Sequence, residues 1–538
     1  MTGFPLPRLS TLLAIPLLAA CGPEKPEDTA APRPEETGDP TETGAEDSSG
    51  QPDTATDTSP ADTATETGDT EPGDTATETG DTEPGDTATE TGDTEPGDTA
   101  TETGDTDPDD TATETGDTAP ATAFAGVVEV RSVATAETGG RVADGRIGSI
   151  DNLSVLGDVT GDGLDDTVIG SPFHAPGTVL VLPDASVWTG DADADAVVTI
   201  EGTEELGFVP LSMNDATGDG LDDLLVGDRS ADGVGVAYVF AGPLSGSYAD
   251  TDATQTVTGE WASAEWGEAI DAGDLDGDGV NELVVGGAES GAGYVGVYPA
   301  GAGAFTASDG ALTTGTTSGD DFGATVVVGD IDADGYADVL VGAPGVDTAA
   351  TDAGAVYGLP GSATGVGAAA WTFLGPVSAG AWFGTNSRGI ARPADLDGSG
   401  APDVALAAYW YGAVAVYTDA ARGTYAWTDA DTLIEERGSD AGSSLVSGDL
   451  DEDGDADLLI GCYADDTWAR DGGTAWIFLD LPTGTLGRGD ASAELYAADA
   501  NQYLGTAVGT RDGSLFLVAS WRDTTVSRGG VLYQVDPW

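Results

Sequence analysis

The sequence predicts an all-β fold, a seven-bladed β-propeller carrying acidic hairpin loops and preceded by a disordered low-complexity stalk. Three observations carry that prediction. A nine-residue acidic loop recurs six times at intervals of roughly sixty residues. A short aliphatic run ending in glycine follows nearly every loop, as in Leu224-Leu225-Val226-Gly227 and Val339-Leu340-Val341-Gly342. An apolar-Gly step precedes each unit, at Ile147-Gly148, Leu206-Gly207, Trp266-Gly267, Phe322-Gly323, Phe383-Gly384, Ala441-Gly442 and Leu504-Gly505. Seven such steps imply seven blades.

The loops open on Asp158, Asp215, Asp274, Asp330, Asp395 and Asp449. Their third residues are Thr160, Thr217, Asp276, Asp332, Asp397 and Asp451, and their fifth are Asp162, Asp219, Asp278, Asp334, Ser399 and Asp453. The seventh are Leu164, Leu221, Val280, Tyr336, Ala401 and Asp455; the ninth are Asp166, Asp223, Glu282, Asp338, Asp403 and Asp457. Oxygen-bearing side chains at positions 1, 3, 5 and 9, with glycine at 6 to turn the chain sharply, wrap a hard cation that takes six to eight oxygens. The seventh residues are assigned to the same ligand set. Calcium suits this shell, and about six sites are expected. An EF-hand would close with a glutamate at position 12 between helices, whereas these loops close at position 9 and run into strands. The third, fourth and sixth loops carry acids at all four positions and are expected to bind more tightly than the first, second and fifth, which have Thr160, Thr217 and Ser399.

Each loop is the turn of a hairpin. After its second strand comes a break, Gly170-Ser171-Pro172 or Gly342-Ala343-Pro344, and then a third strand opening on glycine, such as Gly177–Leu182, Gly354–Tyr357, Gly412–Tyr417 and Gly530–Tyr533. A fourth strand, Val197–Ile200 or Ala370–Phe373, leads to the next unit. Four strands at this period describe a propeller blade. Residues 123–538 form this domain. The last unit keeps its strands but lacks the acids at Gly509–Val518, so no metal is expected there. It also ends on its third strand, while an orphan strand Gly126–Val130 precedes the first unit. Pairing that orphan onto the last blade would close the ring and remove two sheet edges.

These residues resemble the FG-GAP repeats of the integrin α-subunit β-propeller; Phe322-Gly323 and Gly342-Ala343-Pro344 match both halves of the name. The resemblance covers residues from about 125 to 538. It implies that the calcium hairpins lie on one face of the disc and the remaining connections on the other.

Residues 1–20 hold Arg8, the apolar run Leu12–Leu18 and Ala19-Ala20, shaped like a secretory signal and too short to span a membrane. Leu18-Ala19-Ala20-Cys21 resembles a bacterial lipobox, which implies lipidation of Cys21, and Gly22 beside it resembles the pattern of lipoproteins sent to an outer membrane. Residues 21–122 consist mainly of Thr, Glu, Asp, Gly, Pro and Ala, with a 12-residue repeat starting at Thr63. Such a segment buries too little apolar surface to offset its ordering entropy and is expected to be an extended tether. Its threonines are candidates for glycosylation.

A formal charge of −81 with sixteen Lys and Arg argues against nucleic acid and anionic lipid as partners. With Cys21 assigned to lipid, Cys462 is left as a packed residue and no disulfide framework exists. His174, the single histidine, has no catalytic partner in sequence range, and the organised acids are committed to calcium, so no enzyme is predicted. Three consecutive units load the face opposite the calcium loops with aromatics: Tyr409, Trp410 and Tyr411, then Tyr463 and Trp468, then Trp521. Large rings on the loops of a rigid scaffold are anchors for protein or sugar ligands. The sequence is thus expected to encode a lipid-anchored cell-surface module for adhesion or protein binding. The alternatives are a carbohydrate-binding lectin, as the resemblance to some fungal lectins implies, a structural envelope protein, and, less favoured, a glycan hydrolase or lyase.

Overall fold

In the second unit, strands Leu211–Asn214, Asp223–Asp228, Val236–Phe240 and Gln255–Thr258 pair antiparallel in chain order. The same order recurs along the chain in this computed structural model, which describes residues 126–129, 134 and 136–139 and, with short gaps, 153–536; the longest gap is 520–529. The signal segment, Cys21, the stalk, Ile147-Gly148, His174 and Trp521 lie outside the described residues. The described strands make seven sheets of four or five strands each. The fold is an all-β propeller. No helix among the described residues is long and apolar enough to cross a membrane.

Most second and third strands are buried along their whole length, as in Asp223–Asp228 and Val236–Phe240. A strand with a neighbouring sheet on each face has no solvent side, so its sequence reads as a continuous aliphatic run rather than an alternation. The core accordingly lies between sheets. Val179, Val181 and Ile200 of the first unit pack with Leu224, Val226 and Phe240 of the second, and Phe373 and Phe383 pack with Leu406 and Tyr417. Each fully buried aliphatic side chain contributes about 1.5–3 kcal/mol.

The apolar-Gly step joins adjacent units. The Phe322 amide donates to Ala292 O of the preceding unit (3.3 Å), and the Gly323 amide donates to Gly342 O at the end of its own second strand (3.0 Å). Trp266-Gly267 and Phe383-Gly384 make the same pair of bonds. Gly323 has φ +99°, and a Cβ there would lie 2.3 Å from Tyr294 O, so only glycine fits.

Two expectations are corrected. In place of the seven blades expected there are six, and the segment read as the seventh, already without acids in sequence, joins a composite sheet of Ala136–Gly139, Val531–Val535, Ser514–Ala519 and Leu504–Arg511. That sheet draws on both ends of the described chain and has no acidic hairpin. The orphan strand is also placed differently. Gly126–Glu129 does not pair with the last sheet; it lies parallel to Ala493–Tyr496 on the sixth, while Ala136–Gly139 pairs with Val531–Val535.

The reason is a device the sequence concealed. Between its third and fourth strands, a unit lays a short strand parallel onto the outer strand of the preceding sheet. Gly246–Ala249 does so on Val198–Glu201, Gly303–Thr306 on Gln255–Thr258, Gly423–Tyr425 on Trp371–Leu374 and Gly484–Leu486 on Thr432–Glu435. Gly126–Glu129 is the same handover strand for the last unit. The composite sheet therefore takes one strand, Ala136–Gly139, from the start of the described propeller and three from its end, which covers edges that either set would leave open alone.

Candidate metal-binding hairpins and the opposite face

Five of the six acidic loops link the first and second strands of their units; the fifth runs from two isolated bridges, Ile390 with Leu406 and Ala394 with Asp403, into the strand Val404–Ala408. The first residue organises the turn through its carboxylate. Asp158 accepts from the amides of Gly161 (2.6 Å), Asp162 (3.1 Å) and Gly163 (2.7 Å), and Asp215 and Asp274 repeat the pattern. The glycine at position 6 has φ +87° in the first loop and +89° in the fourth, with open space where a Cβ would point. Backbone conformation, not crowding, selects it.

The ninth residue closes the loop from below. Asp338 is buried and accepts from Ile331 N (2.8 Å) and, from the following connection, Gly361 N (2.9 Å). Asp403 does the same with Leu396 N and Asp419 N. Burial, together with the neighbouring carboxylates, pushes Asp166, Asp338 and Asp403 up to about 6 and Asp457 to about 7, and raises Asp223 and Glu282. Desolvation is the largest cause in each. A divalent cation among these oxygens would relieve that penalty.

In four loops, three carboxylates offer oxygens all within 4.8 Å of one another: Asp274, Asp276 and Glu282; Asp330, Asp332 and Asp338; Asp395, Asp397 and Asp403; Asp449, Asp451 and Asp453. Two of the position-3 carboxylates present a buried oxygen, Asp332 Oδ1 and Asp451 Oδ1, with no hydrogen-bond partner. Converging hard oxygens, some left without donors, fit a calcium ion. The first two loops differ. There Thr160 Oγ1 donates to Asp166 Oδ1 (3.2 Å), and the ninth carboxylate is met by the position-3 amide rather than the position-2 amide. In the fifth loop Ser399 Oγ turns to Asp419 Oδ1 (3.1 Å), outside the loop.

Sequence reasoning missed how the loops touch one another. A Cβ on Gly277, position 4 of the third loop, would lie 2.6 Å from the Tyr336 ring, position 7 of the fourth. Gly218 stands in the same relation to Val280, and Gly398 to Asp455. Where position 4 is Ala333, the next loop's seventh residue is the small Ala401. Main-chain bonds reinforce this rim: Ala337 N donates to Asp274 O (2.9 Å) and Ala456 N to Asp395 O (2.7 Å). In these three pairs the position-7 side chain packs against the preceding loop.

The aromatic residues lie on second-to-third connections, at the opposite ends of these strands. Trp410 is 48% exposed, edge-on to Trp382 (5.9 Å) and tilted against the buried Tyr409 (5.2 Å). Tyr411 packs under Arg437 (4.3 Å). Tyr463 is near Tyr503 (6.2 Å). Trp468 is 46% exposed but stacked on Tyr496 (4.6 Å), and its Nε1 donates to the buried Glu494 (2.8 Å). No described ring contact joins Trp410 to Trp468; each has its own partners. Cys462 is wholly buried beside Ile460 and Trp476, and burial raises its thiol well above the usual range.

A propeller whose repeats carry acidic hairpins on one end and aromatic loops on the other defines a class of repeat protein rather than a single reaction. The FG-GAP repeat family matches residues 322–359, and the FG-GAP-like repeat family matches residues 395–460. Within those two stretches the chain carries FG-GAP repeats, and over a longer region it is similar to integrin α chains. It is 30% identical to integrin alpha-5 of Xenopus laevis and 31% identical to integrin alpha-V of Gallus gallus, each over 36% of this chain and 20% of the relative. It is 32% identical to integrin alpha-IIb of Homo sapiens over 30% of this chain and 16% of the relative. The chain thus spans a fifth or less of the length of these relatives.

Proposed function

We propose that this protein is a cell-surface binding module: a propeller stiffened by calcium in its acidic hairpins, held out on the acidic stalk and anchored through lipid on Cys21. The observation that carries the metal assignment is the convergence of three carboxylates within 4.8 Å in four separate loops on one rim. The ligands are the residues at positions 1, 3, 5 and 9 and the position-7 carbonyl; calcium supplies charge neutralisation that lets each hairpin close. Likeness to integrin α chains favours a protein ligand and an exported setting. The partner surface is the face of the aromatic loops, with Trp410 beside Trp382 as its anchor.

Binding of the full chain to a protein array, in calcium and in chelator, tests this reading. Calcium-dependent capture of a protein, lost in Trp410→Ala, is the expected result; capture of glycans alone, or capture indifferent to Trp410, contradicts it. Anchoring is tested separately: Cys21→Ser should move the protein from the membrane fraction to the soluble one.

A further inference from the structure

One acidic loop already holds a cation. Arg422 Nε donates to Asp332 Oδ2 (2.8 Å) and its Nη2 donates to Asp334 Oδ2 (3.2 Å), so a guanidinium sits on positions 3 and 5 of the fourth loop. These two contacts are also ion pairs.

The fold delivers this arginine. Residue 422 immediately precedes Gly423, the first residue of the handover strand that the fifth unit lays on Trp371–Leu374 of the fourth. Trp371, fully buried, donates from Nε1 to Ala420 O (2.8 Å), and Tyr425 Oη donates to Ala421 O (2.7 Å). The backbone leading into residue 422 is thereby pinned, and the guanidinium lies 5.1 Å from the Trp371 ring centroid. The residues preceding the other handover glycines are Ala125, Ser245, Ala302 and Thr483, none of them charged. With sixteen Lys and Arg set against 97 acids, a cation at this one place is not a consequence of composition.

The third loop makes the contrast. Asp274, Asp276 and Glu282 converge there as Asp330, Asp332 and Asp338 do in the fourth, with acids at the same four positions, but no arginine reaches it among the described residues. In the fourth loop, position 5 and one oxygen of position 3 are already paired, leaving Asp330, Asp338 and Asp332 Oδ1 to a metal ion.

We propose that Arg422 is a tethered counter-cation of the fourth loop, holding this hairpin closed without metal and making it bind a divalent cation more weakly than its four acids alone would. The inference rests on the reading that the loops hold divalent cations. It reverses the ranking expected from acid count alone. A positive charge about 5 Å from a doubly charged ion weakens binding on the order of tenfold even in a water-like dielectric.

The test uses the full chain, freed of metal, with calcium alone as the probe. Calorimetric titration of Arg422→Gln and Arg422→Ala should show one site tightened on the order of tenfold and the total number of ions unchanged. Melting in chelator should fall for both variants and stay put for Arg470→Ala, a more exposed arginine paired with Asp471 outside any loop. Site affinities that are unchanged, or one site weakened, overturn the proposal. If the parent chain binds no calcium at all, the metal assignment falls, and the chelator melts decide alone: a loss confined to the Arg422 variants upholds the counter-cation, and equal melting of all variants overturns it.

Discussion

The first acidic hairpin and the four from the third onward differ in what holds them shut. In the first, Thr160 bonds to Asp166 through its hydroxyl, and the loop closes on its own hydrogen bonds. In the third to sixth, three carboxylates face one another within 4.8 Å. A neutral hydroxyl makes a loop that stands without metal; a carboxylate makes one that repels itself until a cation arrives. The difference of one side chain at position 3 therefore trades stability without metal against affinity for it.

The largest effect that would break this comparison is global. At a few millimolar calcium, with affinities of about 10⁻⁴ to 10⁻³ M, each occupied loop gains about 0.5–2 kcal/mol by mass action. Summed over the carboxylate loops, the melting temperature should rise on the order of 10 °C from chelator to calcium. Equal melting in the two conditions would remove the metal from the account.

Next in size are paired substitutions at position 3. Asp276→Ala should lower affinity at its site at least tenfold and raise melting in chelator, because it removes one of three mutually repelling carboxylates. Thr217→Ala should change calcium affinity less and leave melting in chelator unchanged or lower. The opposite ordering in either readout contradicts the trade. Thr160→Asp sharpens it further: the first loop should gain calcium affinity and the chelated protein should lose roughly 1 kcal/mol, since a hydrogen bond is exchanged for a repulsion.

The smallest effects concern the two exposed tryptophans. Trp410→Ala should leave melting within about 0.5 kcal/mol of the parent, since nearly half its surface faces solvent. Trp468→Ala should cost about 1–3 kcal/mol, because Glu494 loses the indole N–H that satisfies it in a buried setting. Similar costs for the two would mean they play the same part, as the sequence alone suggested.

The hairpins and aliphatic strands were legible because their signals are local: a fixed spacing of oxygens around glycine, and runs such as Leu458–Ile460 with no polar break. The handover strands were not. Gly303–Thr306 and Gly484–Leu486 are short, largely exposed and glycine-led, and their partners lie in another unit. That omission misplaced Gly126–Glu129, whose parallel pairing with Ala493–Tyr496 no local pattern announces. Arg422 was illegible for the same reason, since Asp332 is ninety residues away. At the aromatic face the sequence marked Trp410 and Trp468 alike, and only the packing on Tyr496 and Glu494 separates them.

Calorimetric titration of the metal-free full chain with calcium decides whether the acidic hairpins are metal sites. About six ions should bind, one for each acidic hairpin, in more than one affinity class, with Thr160→Ala and Thr217→Ala altering only the weaker class. No heat of binding up to several millimolar, or six sites of equal affinity, would contradict that expectation.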